Sequence, residues 1–167
     1  MRVLAAGLAV LLGVYLSHCK TYRLKRREQV LNSIFRCICR LENNVCYYRE
    51  PLSRALKKSD DEVKGFFSTI GDAVERCVLD SSREMWLQAM SSREEFGYLT
   101  ECDKSILLDF ASLLGQSDGY SQKNLFAAFK KQLNENISEA RADIDKNVKL
   151  YRVLGFAGGV ALAIIII

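Results

Sequence analysis

The sequence contains a single proline and a single histidine in 167 residues, and it lacks the motifs of familiar enzyme sites. A phosphate-binding glycine loop, an HExxH zinc motif and a GxSxG nucleophile motif are all absent from it. The histidine, His18, borders an apolar terminal stretch and is separated from the acidic residues that a general base would need. We therefore expect a protein that is not an enzyme and that uses no cofactor.

Strand patterns and nucleic-acid-binding patterns are also missing. No alternation of apolar and polar residues recurs between hairpin turns, and the scarcity of proline favours regular helices, so we predict an all-α protein. The net charge of +4 is modest, and no basic stripe is interleaved with aromatic residues. This charge pattern argues against a nucleic-acid partner.

Both ends of the chain are apolar, and the middle is polar. Residues 3–16 and 153–167 carry no charged side chain, although each run is shorter than the roughly 20 residues of a typical membrane span. Cations follow the first run and precede the second: Lys20, Arg23, Lys25, Arg26 and Arg27, then Lys146, Lys149 and Arg152. This positive-inside arrangement predicts transmembrane segments at 1–19 and 150–167, a cytoplasmic helical domain at 20–149, and a location in the cell membrane with the lipid bilayer as partner.

A secreted lipoprotein is the alternative for the N-terminal run, because Cys19 follows an apolar stretch. His18 is too large for the position before a cleavage site, and the cations of residues 20–27 would have to cross the membrane. We therefore favour the membrane-anchored interpretation.

Small residues recur at helical spacing in both apolar runs. Gly155 and Gly159 form a GxxxG pair, and Ala5, Ala9 and Gly13 form a similar row. Such rows allow helix backbones to approach closely in lipid, so we predict that these residues mediate helix packing. Chance spacing in Gly- and Ala-rich segments is the alternative, and the pairing is open between one chain and a homo-oligomer.

The six cysteines are interpreted as small apolar residues rather than as ligands. A reducing cytoplasm disfavours disulfides, and the spacing of Cys19, Cys37, Cys39, Cys46, Cys77 and Cys102 fits no metal template. We predict no metal site and mostly buried thiols. A redox or metal sensor that uses Cys39 and Cys46, which share a helix face, is the alternative.

Two long helices are predicted to form the frame of the polar domain. Apolar residues recur at helical spacing between residues 22 and 50 and again between 118 and 151. Shorter helices lie between them, with start signals at Pro51, at residues 59–62 (a Ser-Asp-Asp-Glu capping box), at residues 80–82 and at residues 100–103. The pattern predicts an antiparallel helical bundle.

Three stretches carry a family resemblance. They are residues 41–47 (Leu-Glu-Asn-Asn-Val-Cys-Tyr), residues 51–56 (Pro-Leu-Ser-Arg-Ala-Leu), and residues 114–118 (Leu-Gly-Gln-Ser-Asp) with Gln122. In this order and spacing they resemble the stage III sporulation protein AB family of endospore-forming bacteria. The chain departs from the family pattern at Asn44, where the family has a glutamate, and residues 59–100 match only loosely, through Trp86.

The resemblance implies a domain similar to the cytoplasmic domain of type II secretion F proteins. It also implies a structural role in the secretion-like channel complex between mother cell and forespore, in the mother-cell membrane. The implied partners are an ATPase similar to stage III sporulation protein AA and other proteins of the complex. We predict partner-binding positions at Asp118 and Gln122, near the start of the last long helix, and at Glu42 and Tyr47 on the other long helix. The alternative is a generic membrane adaptor, or a pilus or secretion platform subunit, outside sporulation.

Overall fold

The structure, a computed structural model, describes residues 2–60, 62–63, 65–76, 81–114 and 119–166. The described residues are helical and contain no strand, which confirms the predicted all-α class. The elements in chain order are α1 (Arg2–Glu42), a π-helical turn (Asn43–Tyr47), α2 (Leu52–Lys58), α3 (Phe66–Arg76), α4 (Ser82–Ser91), a 3₁₀ helix (Glu94–Tyr98), α5 (Glu101–Leu113) and α6 (Gly119–Ile166).

The chain divides into two compact units, and α1 and α6 each contribute to both. The first unit comprises Met1–Glu28 with Ser138–Ile167, and the second comprises Gln29–Ile137. In the part of the chain that the structure describes, no helix is long and apolar enough to cross a membrane. The predicted segment boundaries at 19/20 and 149/150 stay predictions.

The core of the second unit is built around aromatic rings. Trp86 is 2% exposed, and its ring makes edge-to-face contacts with Phe66, Phe67 and Phe110 at centroid distances of 5.4, 5.6 and 5.9 Å. Phe110 of α5 also stacks on Phe129 of α6 at 4.2 Å. Such ring pairs stabilise a core beyond their buried area, so this cluster joins α3, α4, α5 and α6.

The apolar stripes predicted on the two long helices are largely buried. On α1 the buried members are Leu31, Ile34, Ile38 and Leu41, and on α6 they are Phe129, Leu133, Ile137 and Ala140. Their spacing of three and four residues places each set on one face of its helix. Both stripes are therefore buried as the helical periodicity predicted.

Helix α5 begins at the predicted cap. The Thr100 side chain accepts a hydrogen bond from the Asp103 backbone N–H at 3.2 Å, and the Asp103 carboxylate accepts one from the Thr100 N–H at 2.9 Å. Asp103 is 1% exposed and accepts a further bond from Asn136 Nδ2 of α6 at 2.7 Å. This carboxylate therefore fixes both the start of α5 and its contact with α6.

The capping box predicted at residues 59–62 is wrong in its detail. Ser59 is the C-cap of α2, and its hydroxyl donates to the Ala55 carbonyl at 2.7 Å. Helix α3 begins only at Phe66, where the Asp60 carboxylate accepts from the backbone N–H groups of Gly65 at 3.2 Å and Ser68 at 2.7 Å. Gly65, at φ +83°, adopts the left-handed conformation that this longer connection requires.

The start of α4 agrees with the prediction in position. Ser81 occupies the N-cap, but its side chain makes no capping hydrogen bond. The other predicted cap at this point, Asp80, lies outside the described residues.

Candidate partner-binding surface

The α-helical geometry of α1 ends in a π-helical turn at residues 43–47. The Tyr48 N–H donates to the Asn43 carbonyl at 3.1 Å, five residues back, and the Glu50 N–H donates to the Asn44 carbonyl at 3.0 Å. Arg49 then adopts φ +52°, a left-handed conformation that is uncommon outside glycine. Because π-helical turns occur often at functional sites, the end of α1 is a candidate functional site.

Two adjacent tyrosines project from this turn into solvent. Tyr47 is 71% exposed and Tyr48 is 73% exposed, the two largest values among the exposed large apolar side chains described. The Nζ atom of Lys123, on α6, lies 5.3 Å from the centre of the Tyr47 ring, in a cation–π contact. We call Tyr47, Tyr48, Arg49 and Lys123 the tyrosine surface.

The tyrosine surface is attached to α2 by polar contacts on its inner side. Asn44 Nδ2 donates to the Ser59 hydroxyl at 3.3 Å, and Glu50 forms an ion pair with Lys58. The second carboxylate oxygen of Glu50, Oε2, is buried without a hydrogen-bond partner. These contacts hold the turn in place, so its tyrosines are presented on a fixed backbone.

Glu42, a predicted partner-binding residue, has a partner inside the second unit. Its carboxylate forms an ion pair with Lys130 of α6, and the two side chains are 18% and 28% exposed. Together with the contact between Tyr47 and Lys123, this pair shows that the two long helices run antiparallel in this unit. Glu42 therefore joins α1 to α6, and a role in partner binding stays a prediction.

The other predicted positions fall on or near the N-terminal part of α6. Gln122 is half-buried and precedes the buried Phe126, Phe129 and Leu133 by steps that keep it on the same helix face. Asp118 lies outside the described residues. The structure thus brings Tyr47 close to Lys123, the neighbour of Gln122 in sequence, whereas sequence reasoning gave no role to Lys123, Tyr48 or Arg49.

The predicted helix-packing residues lie on the terminal parts of the long helices. Ala5, Ala9 and Gly13 belong to α1, and Gly155 and Gly159 belong to α6. The side chains of these five residues lie outside the described part of the structure. Their packing in lipid therefore stays a prediction.

The cysteines near Glu42 are poor candidates for redox or metal chemistry. Burial raises the pKa of the Cys39 thiol and, likewise, that of the Cys46 thiol. A raised pKa lowers the fraction of thiolate, which is the reactive form of cysteine. In the described ranges, no group of three or more His, Cys, Asp or Glu side chains is placed to hold a metal ion.

The predicted burial of the cysteines is confirmed only in part. Cys37 is buried, and Cys39 and Cys46 are half-buried, but Cys102 is exposed. Cys102 is the second residue of α5, in the first turn and off the face that packs on the core. The side chains of Cys19 and Cys77 lie outside the described residues.

The described part of the chain is thus an all-helical fold that carries two exposed tyrosines on the turn after α1. The model of the family described as Stage III sporulation protein AB matches residues 2–167. The chain belongs to the stage III sporulation protein AB family, which confirms the resemblance found in the sequence. Searches of the curated proteins and of the solved structures found no match.

Proposed function

We propose that this protein is a membrane-anchored assembly component of the secretion-like complex between mother cell and forespore. In this role it provides a docking platform for a cytoplasmic ATPase similar to stage III sporulation protein AA, and it performs no catalysis itself. Family membership supports a sporulation-related role over a generic adaptor or a pilus subunit. The observation that carries the docking role is the exposed pair Tyr47 and Tyr48 on a turn fixed to α2.

Physical chemistry supports a protein partner at this surface. Tyrosine is enriched at protein interfaces because its ring offers a large contact area while its hydroxyl stays hydrogen-bonded. Two tyrosines that are both more than two-thirds exposed leave much apolar area in water when no partner is bound. Because the turn is already held by α2, docking would cost little backbone ordering.

Membrane anchoring is supported by side chains of the first unit. Tyr15 on α1 is 68% exposed, and Leu150 and Val153 on α6 are 49% and 66% exposed. Large apolar side chains in solvent are typical of surfaces that contact lipid or another protein. These three exposed side chains are consistent with an anchor, which we propose lies in the mother-cell membrane.

The docking role is tested by replacing the tyrosine pair in the full-length protein purified in detergent. We expect Tyr47→Ala with Tyr48→Ala to weaken capture of the purified ATPase by tenfold or more, at about 1 to 2 kcal/mol per interface aromatic. The matched control is Leu87→Ala with Leu113→Ala, which removes two side chains that are 53% and 50% exposed elsewhere on the same unit. The control should bind normally.

Fluorescence of Trp86, the only tryptophan in the chain, monitors folding in both variants because its ring is buried in the core. Equal capture of the ATPase by the wild type and the tyrosine variant, with both folded, would place the docking face elsewhere. The same variants introduced into sporulating cells should lower spore yield only in the tyrosine case.

Topology is tested separately by thiol labelling. A cysteine-free variant that carries Ser92→Cys presents one thiol at an exposed position after α4. It should resist an impermeant thiol reagent in intact cells and react after lysis. Rapid labelling from outside would show that the polar part of the chain is not cytoplasmic.

A further inference from the structure

Three of the four acidic residues of the first unit form ion pairs within it. Arg27, at 7% exposed, donates to Glu139 at 3.2 Å and to Asp143 at 3.5 Å, and Arg141 donates to Glu28 at 2.9 Å. These three carboxylates therefore form ion pairs with arginines, and each ion pair joins α1 to α6. Other cations of this unit lie nearer the chain ends.

Besides Arg26, which donates to Tyr22, four of those cations are exposed in the described residues. They are carried by both helices: Arg23, Lys25, Lys146 and Lys149. We call these four residues the cationic band. The contacts of Arg27 and Glu28 with α6 set an antiparallel register, which places Arg23 level with residues 145–146. Asp145 is also exposed and subtracts one charge, so the band keeps a positive excess on two neighbouring helices.

Apolar side chains are exposed directly beside the cationic band. The same register places Tyr15 level with Val153, two turns further toward the chain ends, and both are more than 60% exposed. Between these levels Tyr22 is 44% exposed, and its hydroxyl accepts a hydrogen bond from Arg26 Nε at 2.7 Å. Among the described side chains, the exposed groups therefore change from Tyr15 and Val153 through Tyr22 to the cations, an order typical of a membrane interface.

We propose that the cationic band binds the headgroups of anionic phospholipids. The proposal rests on the membrane anchoring proposed above and adds a lipid preference to it. A phosphate group attracts several cations at once, and the adjacent apolar level explains why the anion should be part of a lipid rather than free in solution. Each Lys or Arg near an anionic surface is expected to change the partition by about fivefold.

The test is a competition between two populations of vesicles, each with its own fluorescent label. One population is phosphatidylcholine, and the other is an equal mixture of phosphatidylcholine and phosphatidylglycerol. Full-length protein is diluted from detergent into both, and the vesicles are separated by flotation. The wild type should favour the anionic vesicles by at least tenfold at low salt, and the preference should fall at high salt because the charges are exposed.

The variant Arg23→Gln, Lys146→Gln, Lys149→Gln should insert normally but lose the preference. The matched control Arg54→Gln, Arg76→Gln, Lys131→Gln removes three exposed cations from the second unit and should keep it. Equal distribution of the wild type between the vesicles would overturn the lipid proposal and leave anchoring intact. Failure to float with either population would instead overturn anchoring. Loss of the preference on adding millimolar inorganic phosphate, but not the same ionic strength of chloride, would identify a site for free phosphate and also overturn the proposal.

Discussion

The ion pair between Glu42 and Lys130 is expected to couple the two long helices energetically. The side chains are 18% and 28% exposed, so the pair lies between a surface ion pair and a buried one. Exposed pairs contribute up to about 1 kcal/mol, and breaking a fully buried pair costs about 3 to 5 kcal/mol. We therefore expect Glu42→Gln to lower the free energy of unfolding by about 2 kcal/mol, because it leaves the Lys130 ammonium partly desolvated without its counter-charge.

A double-mutant cycle separates the pair from its surroundings. Glu42→Gln, Lys130→Met and the double variant are unfolded in urea and followed by Trp86 fluorescence, which reports on the core of the same unit. The double variant should be more stable than the sum of the single losses predicts, with a coupling energy of about 1.5 kcal/mol. A coupling energy below about 0.3 kcal/mol would refute the inference that this pair joins α1 to α6.

The same variants decide between the two roles considered for Glu42. If Glu42 acts only by joining the helices, the double variant should capture the ATPase as well as the wild type does. If the double variant recovers stability but Glu42→Gln and the double variant both bind poorly, the carboxylate contacts the partner directly. Gln122→Ala, at a half-buried position on the same unit, provides the comparison for a side chain without a charge.

Three further predictions concern stability, each measured by urea unfolding or thermal melting. Asp103→Ala should cost about 2 to 3 kcal/mol, because it removes a helix cap and a buried hydrogen bond together; a loss under about 0.5 kcal/mol would contradict this. Gly71→Ala should cost about 1 to 3 kcal/mol, since the added Cβ would lie 2.7 Å from a backbone carbonyl of α2, whereas Gly97→Ala, with open space around it, should be nearly neutral. Hydrogen bonding from Arg36 lowers the pKa of Glu62, so this pair should stabilise the protein above the ordinary carboxylate pKa and lose its effect as the pH falls through the lowered one. The melting-temperature difference between wild type and Glu62→Gln should therefore close in acid; a constant difference would show that charge is not its cause.

Local rules predicted much of the fold. The cap at Thr100 and Asp103 lies within three residues of sequence, and the stripes on α1 and α6 follow the helical period, so both could be derived without tertiary information. Asp60 shows where such rules end. Its carboxylate caps α3 from five and eight residues away, through a connection that depends on the positive φ of Gly65.

The candidate surface was less predictable because it is assembled from distant segments. The family motif pointed to Tyr47, and the structure adds Lys123, whose contact with the Tyr47 ring depends on the register of α1 against α6. Glu42 and Lys130 are 88 positions apart in the chain. The sequence therefore gave no sign that the Glu42 carboxylate, predicted to bind a partner protein, forms an ion pair within the chain. Tyr48 directly follows a π-helical turn, and no local sequence pattern predicted this turn.

The π-helical turn affects how the end of α1 tolerates a change in the length of the chain. A π-helical turn contains one residue more than an α-helical turn, so removing one residue from 43–47 can restore the α-helical hydrogen bonds without disturbing the buried stripe upstream. Because the turn itself takes up the extra residue, the segment after such a deletion would keep nearly its original direction around the helix axis. Tyr48 would stay exposed, and Leu41 and the core before it would stay in place. The turn is therefore a position at which the chain can lose one residue and keep both its scaffold and its exposed surface.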